Sequence, residues 1–131
     1  MPLILLVDDD DDVRAAFGQA LRRRGHEVAE ASDGNEAPKL LVEAGMRPSL
    51  IVLDNDMPNL DGRGFRAAQL ADPAIARIPV LLVTGDAEIE QLARSLKPVG
   101  IVQKPVGFSA FLSTVELVLA RLDAPVHVAH L

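Results

Sequence analysis

At 131 residues, with a net charge of −6 and no cysteine, the chain has the length of one domain and lacks the means for disulfides or thiolate metal sites. The acidic balance argues against direct binding to nucleic acid or to an anionic membrane, and four phenylalanines without Trp or Tyr leave no stacking surface for bases. The first apolar run, Leu3 to Val7, stops at five consecutive aspartates, which is neither a signal peptide nor a membrane span, so a cytoplasmic location is expected.

Leu3–Val7 predicts a strand buried on both faces. Asp11 to Arg24 predicts a helix, with Val13, Ala16, Phe17, Ala20 and Leu21 at helical spacing, Arg22-Arg23-Arg24 in the last turn and Gly25 as the stop. One of Asp10, Asp11 and Asp12 should cap it. A second strand over Glu27–Ala31 and a turn at Ser32-Asp33-Gly34 lead to a helix from Asn35 to Ala44, whose Pro38 is tolerable in a first turn. Leu50–Leu53 is the third strand, followed by a loop rich in breakers and a helix from Gly62 to Leu70. Ile78–Val83 is the fourth strand and Asp86 to Leu96 the fourth helix. Gly100–Val102 is a short fifth strand and Phe108 to Leu122 the last helix. Residues 1–123 are thus expected to form one domain, with 124–131 a tail or truncated linker. Strands alternating with helices imply an α/β fold, doubly wound, with a parallel sheet covered by helices on both faces.

Four of the strands end in polar residues: Asp8-Asp9, Asp54, Thr84, and Lys104 just after Gln103. In an open α/β sheet such ends lie along one edge, where ligands bind. Several carboxylates in one concavity are unfavourable without a cation among them. Mg²⁺ (or Mn²⁺) suits such a place: a hard ion that takes one or two carboxylates, keeps waters and accepts phosphate oxygens. Asp9 and Asp54 are the expected direct ligands, the backbone carbonyl of Asp56 a third contact, and Asp8 the residue that orients a bound water. Lys104 and Thr84 then offer a cation and a hydroxyl to phosphoryl oxygens, with Asp54 as the attacking carboxylate. Singly, each residue reads as well as a cap or a solvated loop residue; their shared edge carries the inference.

These residues resemble the receiver domain of two-component response regulators over about residues 3 to 122. The resemblance rests on Ile4-Leu5-Leu6-Val7-Asp8-Asp9-Asp10, on Ile51-Val52-Leu53-Asp54-Asn55-Asp56-Met57-Pro58-Asn59-Leu60-Asp61-Gly62, on Ile78-Pro79-Val80-Leu81-Leu82-Val83-Thr84-Gly85, and on Val102-Gln103-Lys104-Pro105. It implies a flavodoxin-like (βα)5 fold with strand order 2-1-3-4-5. It also implies Asp54 as phosphoacceptor, Asp8 and Asp9 as the acidic pair for Mg²⁺, and Thr84, Gly85 and Lys104 as the residues that meet the phosphoryl group. A cis peptide is implied at Lys104-Pro105.

The donor would be a phosphohistidine on a histidine kinase or phosphotransfer protein. The response would appear on the surface of the fourth helix, fifth strand and last helix, which would meet a downstream protein or, on activation, a second copy. The chain departs from the family at Ile101, where an aromatic switch residue is usual, and at Val106, where Phe is common. Asp56 and Asp86, two residues beyond Asp54 and Thr84, could tune the lifetime of the phosphoryl group.

Two other readings compete. Asp54-Asn55-Asp56 also resembles the nucleophile loop of haloacid-dehalogenase-type phosphatases, although that loop follows a first strand and this one a third. A flavodoxin-like binding module would need a phosphate loop after the first strand, where Asp8 to Asp12 would repel the anion. The expectation is a phosphoacceptor signalling domain, able to phosphorylate and dephosphorylate itself, and not an enzyme.

Overall fold

The computed structural model describes residues 2–33, 35–55, 62–85, 89–105 and 107–123. The strands are β1 (Leu3–Val7), β2 (Glu27–Ala31), β3 (Leu50–Asp54), β4 (Val80–Thr84) and β5 (Gly100–Gln103). They form one parallel sheet in the order β2-β1-β3-β4-β5. The helices are α1 (Asp11–Arg23), α2 (Glu36–Pro38, continued by a π-helical turn over Lys39–Glu43), α3 (Gly62–Ala71), α4 (Ile89–Leu96) and α5 (Phe108–Asp123). Among the described residues no helix is long and apolar enough to cross a membrane.

The sheet is apolar on both faces because both are covered. Side chains alternate along each strand. Leu5, Val7, Ile51, Leu53 and Leu82 pack with Leu41, Phe65 and Leu96 on the side of α2, α3 and α4. Ile4, Leu6, Leu50, Val52 and Leu81 pack with Leu21 of α1 and with Phe111, Val115 and Val118 of α5 on the other. Phe17 joins α1 to α5, its ring 5.1 Å from that of Phe108 and 4.3 Å from that of Phe111. Past the C-terminus of α1, Arg24 pairs with Glu116 in the middle of α5 at 2.9 Å, so the basic run also ties α1 to α5.

Local chemistry explains where the elements begin. Asp10 caps α1, its Oδ1 accepting from the backbone N–H groups of Asp12 and Val13. Gly25, at φ +91°, turns the chain into β2. Asp33 rather than Asn35 supplies the oxygen at the start of α2, accepting from Asn35 and Glu36 at 2.8 Å each.

The regular helix expected from Asn35 to Ala44 is instead short and widens, with Ala44 N–H bonded to Lys39 O. Pro38 has no N–H to continue an α-helical ladder, which accounts for the change. β4 starts at Val80 rather than Ile78. Ile78 N–H turns back to Ile75 O at 3.2 Å, and Pro79 has no N–H for a ladder. The expected bounds 56–61, 86–88, 106 and 124–131 lie outside the described residues.

A polar clamp joins α3 to α4. Arg66 is buried, and its guanidinium donates to Leu96 O at 2.9 Å, to Gln69 Oε1 at 2.7 Å and to Lys97 O at 3.2 Å. Gln69 in turn donates to Ile75 O and Ile78 O. The carbonyl of Leu96, at the C-terminus of α4, and that of Lys97 just beyond it have no helical N–H to accept from, and this one side chain serves both. Burial pulls the Arg66 pKa down, in line with a cation held by neutral acceptors.

Candidate functional site

All four polar strand ends emerge along the carboxyl edge of the sheet. Asp8 follows β1, Asp54 closes β3, Thr84 closes β4 and Lys104 follows β5. Backbone bonds hold these ends in register: Asp8 N–H to Ala31 O, Asn55 N–H to Val83 O, and Lys104 N–H to Thr84 O at 2.8 Å. Asp8 and Asp54 are buried and Asp9 is exposed. Each of the three offers a carboxylate oxygen, and these oxygens lie within 4.8 Å of one another. The acidic pair after β1 and the aspartate after β3 therefore share one concavity, with Asp8 drawn in alongside Asp9 and Asp54.

Three carboxylates crowd together here. Among the described residues, Lys104 Nζ donates to Asp54 Oδ1 at 2.9 Å. Burial, with the charge of Asp54 and a hydrogen bond to it, pushes the Asp8 pKa up to about 6. The Asp10 N–H, donated to Asp8 Oδ1 at 2.9 Å, and Lys104 act the other way. Hard oxygen donors gathered this closely are matched to a hard divalent cation, which would relieve their repulsion. By that chemistry Asp8, Asp9 and Asp54 fit Mg²⁺ or Mn²⁺. Below them is a cavity of about 30 Å³, where Asp8 and Asp54 are the polar residues among apolar walls that include Phe17, Val52 and Phe111.

Thr84 is fully buried at the end of β4, and Gly85 after it is exposed. Ile101 is half-buried on β5, opposite Leu82, and packs against the α3–α4 side of the core. The Lys104-Pro105 peptide is cis, with Pro105 exposed. Asp56, whose carbonyl was expected at the metal, lies outside the described residues, as do Asp61, Asp86 and Val106.

Two residues near the site escape a reading by strand ends. Arg14 of α1 donates to the backbone carbonyl of Asp8 at 2.7 Å and to Asp11 at 2.7 Å; its only sequence signal is the Asp11-to-Arg14 spacing of an ion pair along a helix. Asn55 is buried beside Asp54, its Oδ1 without a hydrogen-bond partner among the described residues, and nothing in its local sequence marks it.

Comparison with known proteins agrees with this geometry. The family model described as response regulator receiver domain matches residues 4–116. The transcriptional regulatory protein AfsQ1 of Streptomyces coelicolor is 42% identical over 85 residues, which is 64% of this chain and 35% of that protein. The transcriptional regulatory protein PdtaR of Mycobacterium tuberculosis is 31% identical over 119 residues, 90% of this chain and 57% of that protein. The chain thus spans about a third of the first and just over half of the second. Among solved structures, the chemotaxis protein CheY4 of Vibrio cholerae superposes with a TM-score of 0.81 at 28% identity, covering 90% of this chain and 98% of that one.

Proposed function

We propose that this chain, which belongs to the family of response regulator receiver domains, accepts a phosphoryl group onto the carboxylate of Asp54. The donor is a phosphohistidine of a histidine kinase or phosphotransfer protein. The observation that carries this reading is the Lys104–Asp54 contact of 2.9 Å inside the Asp8-Asp9-Asp54 cluster. It puts a nucleophile, a cation and two further carboxylates at one strand edge.

An oxygen of Asp54 attacks phosphorus as the bond to the imidazole nitrogen breaks, and an acyl phosphate results. Asp54 is buried, so its charge is poorly solvated and its approach is confined to the open side of the pocket. Lys104 holds that carboxylate in place beforehand and can pass its N–H donors to a phosphoryl oxygen afterwards. The Thr84 hydroxyl, at the end of the neighbouring strand, is a donor for a second oxygen. Asp8, Asp9 and Asp54 would hold Mg²⁺, which supplies charge neutralisation to the transferring group when bound.

Lys104 N–H is bonded to Thr84 O, which links the end of β4 to the residue after β5; this supports the α4-β5-α5 face as the output, toward a downstream protein or a second copy. Ile101 has no ring to swing, and the response there rests on its packing alone. Residues 1–123 constitute the receiver unit in this reading. A phosphatase of the haloacid-dehalogenase type would carry its nucleophile on the first strand, whereas Asp54 closes the third.

Incubation with a small-molecule phosphodonor and Mg²⁺ tests the proposal. One equivalent of acid-stable, hydroxylamine-labile label is expected on the wild type and none on Asp54→Asn. Equal labelling of the two proteins, or continuous turnover of a phosphomonoester, would overturn it.

A further inference from the structure

We infer that Arg14 is a positioning residue for the cation site: it never touches the ion or the phosphoryl group, but holds the peptide from which Asp9 projects. The inference rests on the phosphoacceptor reading above. Its ground is a line of charged contacts running along α1 and β2 to the pocket. Arg22, near the far end of α1, pairs with Glu30 of β2 at 3.0 Å. Glu30 pairs with Arg14 Nε at 3.3 Å. Arg14 reaches the Asp8 carbonyl through one terminal nitrogen and Asp11 through the other, both at 2.7 Å.

Gly18 leaves room for this line. A Cβ there would stand 3.2 Å from Glu30 Oε2, so a larger residue would push the carboxylate that orients the guanidinium. The Arg14 side chain is only 14% exposed, unusual for an arginine one turn into a helix, and its planar fork makes contacts that an ammonium could not make together.

Asp8 is thereby held at three points, of which the Arg14 contact is the one made on the Asp8–Asp9 peptide itself. Asp8 N–H is fixed by Ala31 O, its side chain accepts from Asp10 N–H, and its carbonyl is fixed by Arg14. Asp9 is exposed, and what sets its direction is the orientation of this peptide. Residues that orient metal ligands at one remove typically alter metal affinity by about 10–100-fold when lost.

The sign of the effect separates this role from simple electrostatics. Arg14 is a cation close to a cation site, so deleting its charge should tighten Mg²⁺ binding if charge alone matters. Positioning demands the reverse. Mg²⁺ titration by calorimetry of the wild type, Arg14→Met and Arg14→Lys decides, with Arg77→Met as an exposed control that loses the same charge. Both Arg14 variants should bind at least about 10-fold more weakly, and Arg77→Met should not weaken.

Arg14→Lys keeps the charge and the aliphatic stem, and so answers even where Arg14→Met folds poorly. In metal-free protein both variants should also shift the amide resonances of Asp9 and Asp10 and leave that of Gln103 in place. Mg²⁺ binding by Arg14→Met as tight as, or tighter than, that of the wild type overturns the inference. A wild type that binds no Mg²⁺ refutes the phosphoacceptor reading instead; unshifted Asp9 and Asp10 amides would then dispose of the positioning role separately.

Discussion

Asp8→Asn should stabilise the metal-free protein at neutral pH, at the very position where the negative charge serves the site. The Asp8 pKa is raised from 3.8 to about 6, chiefly by burial and then by the presence of Asp54. A shift of about two pH units corresponds to about 3 kcal/mol. Below 3.8 both folded and unfolded chains carry the proton, and Asp8 behaves as a neutral residue. Between about 4 and 6 only the folded state keeps the proton, so stability falls as the pH rises; above 6 the full cost remains.

Asparagine retains the oxygen that accepts the Asp10 N–H, and its amide can donate to the Asp54 carboxylate. A gain of about 1–3 kcal/mol at pH 7.5 is expected. With an unfolding entropy of about 2.1 cal/mol/K per residue, this is roughly 4–11 °C in Tm. Far-UV circular dichroism melts in a chelator at pH 4.5, 6 and 7.5 would measure it, since the chain has no Trp or Tyr to report by fluorescence. A variant no more stable than wild type at pH 7.5, or a gain that does not shrink below pH 6, would refute the reasoning.

Mg²⁺ affinity should weaken by up to about tenfold per pH unit below pH 6, because binding must then displace the Asp8 proton; a profile flat from pH 5 to 8 would count against this. Arg66→Met should destabilise the fold by about 3 kcal/mol, close to 1 kcal/mol for each acceptor left without its donor. A loss under about 1 kcal/mol in a denaturant titration would contradict the clamp. Lys104→Met should destabilise the metal-free fold by up to about 3 kcal/mol, since it takes the ammonium away from a carboxylate that is buried. The same variant should slow labelling of Asp54 by about 100-fold, and a rate within threefold of wild type would remove Lys104 from the chemistry.

Much of the sheet was legible because apolar runs such as Leu3–Val7 and Leu50–Leu53 have no alternative to a strand covered on both faces. Asp54 and Lys104 meet across fifty residues, and that meeting was readable because parallel strands bring their carboxyl ends to one edge. Failures occurred where a single backbone donor was missing. Pro38 widened a helix that the spacing of apolar residues made look regular, and Pro79 delayed β4 by two residues.

Arg14 and Arg66 were illegible for a different reason. In an amphipathic helix an arginine reads as part of the wet face. Whether it is buried depends on carbonyls supplied from elsewhere, and for Arg66 those carbonyls lie some thirty residues away. Asn55 shows the same limit: its burial follows from what packs over β3, which local sequence does not state.

The Arg66 clamp has a mechanical meaning. It bolts α4 at Leu96 and Lys97, the end remote from the pocket, and leaves the Ile89 end without that anchor. A helix of 8 residues is about 12 Å long. Were α4 to pivot at that anchor, a tilt of about 10° would carry its Ile89 tip by roughly 2 Å, by the same helix geometry, while Lys97 would hardly stir. Displacement would then be amplified toward Thr84 and damped toward Val99.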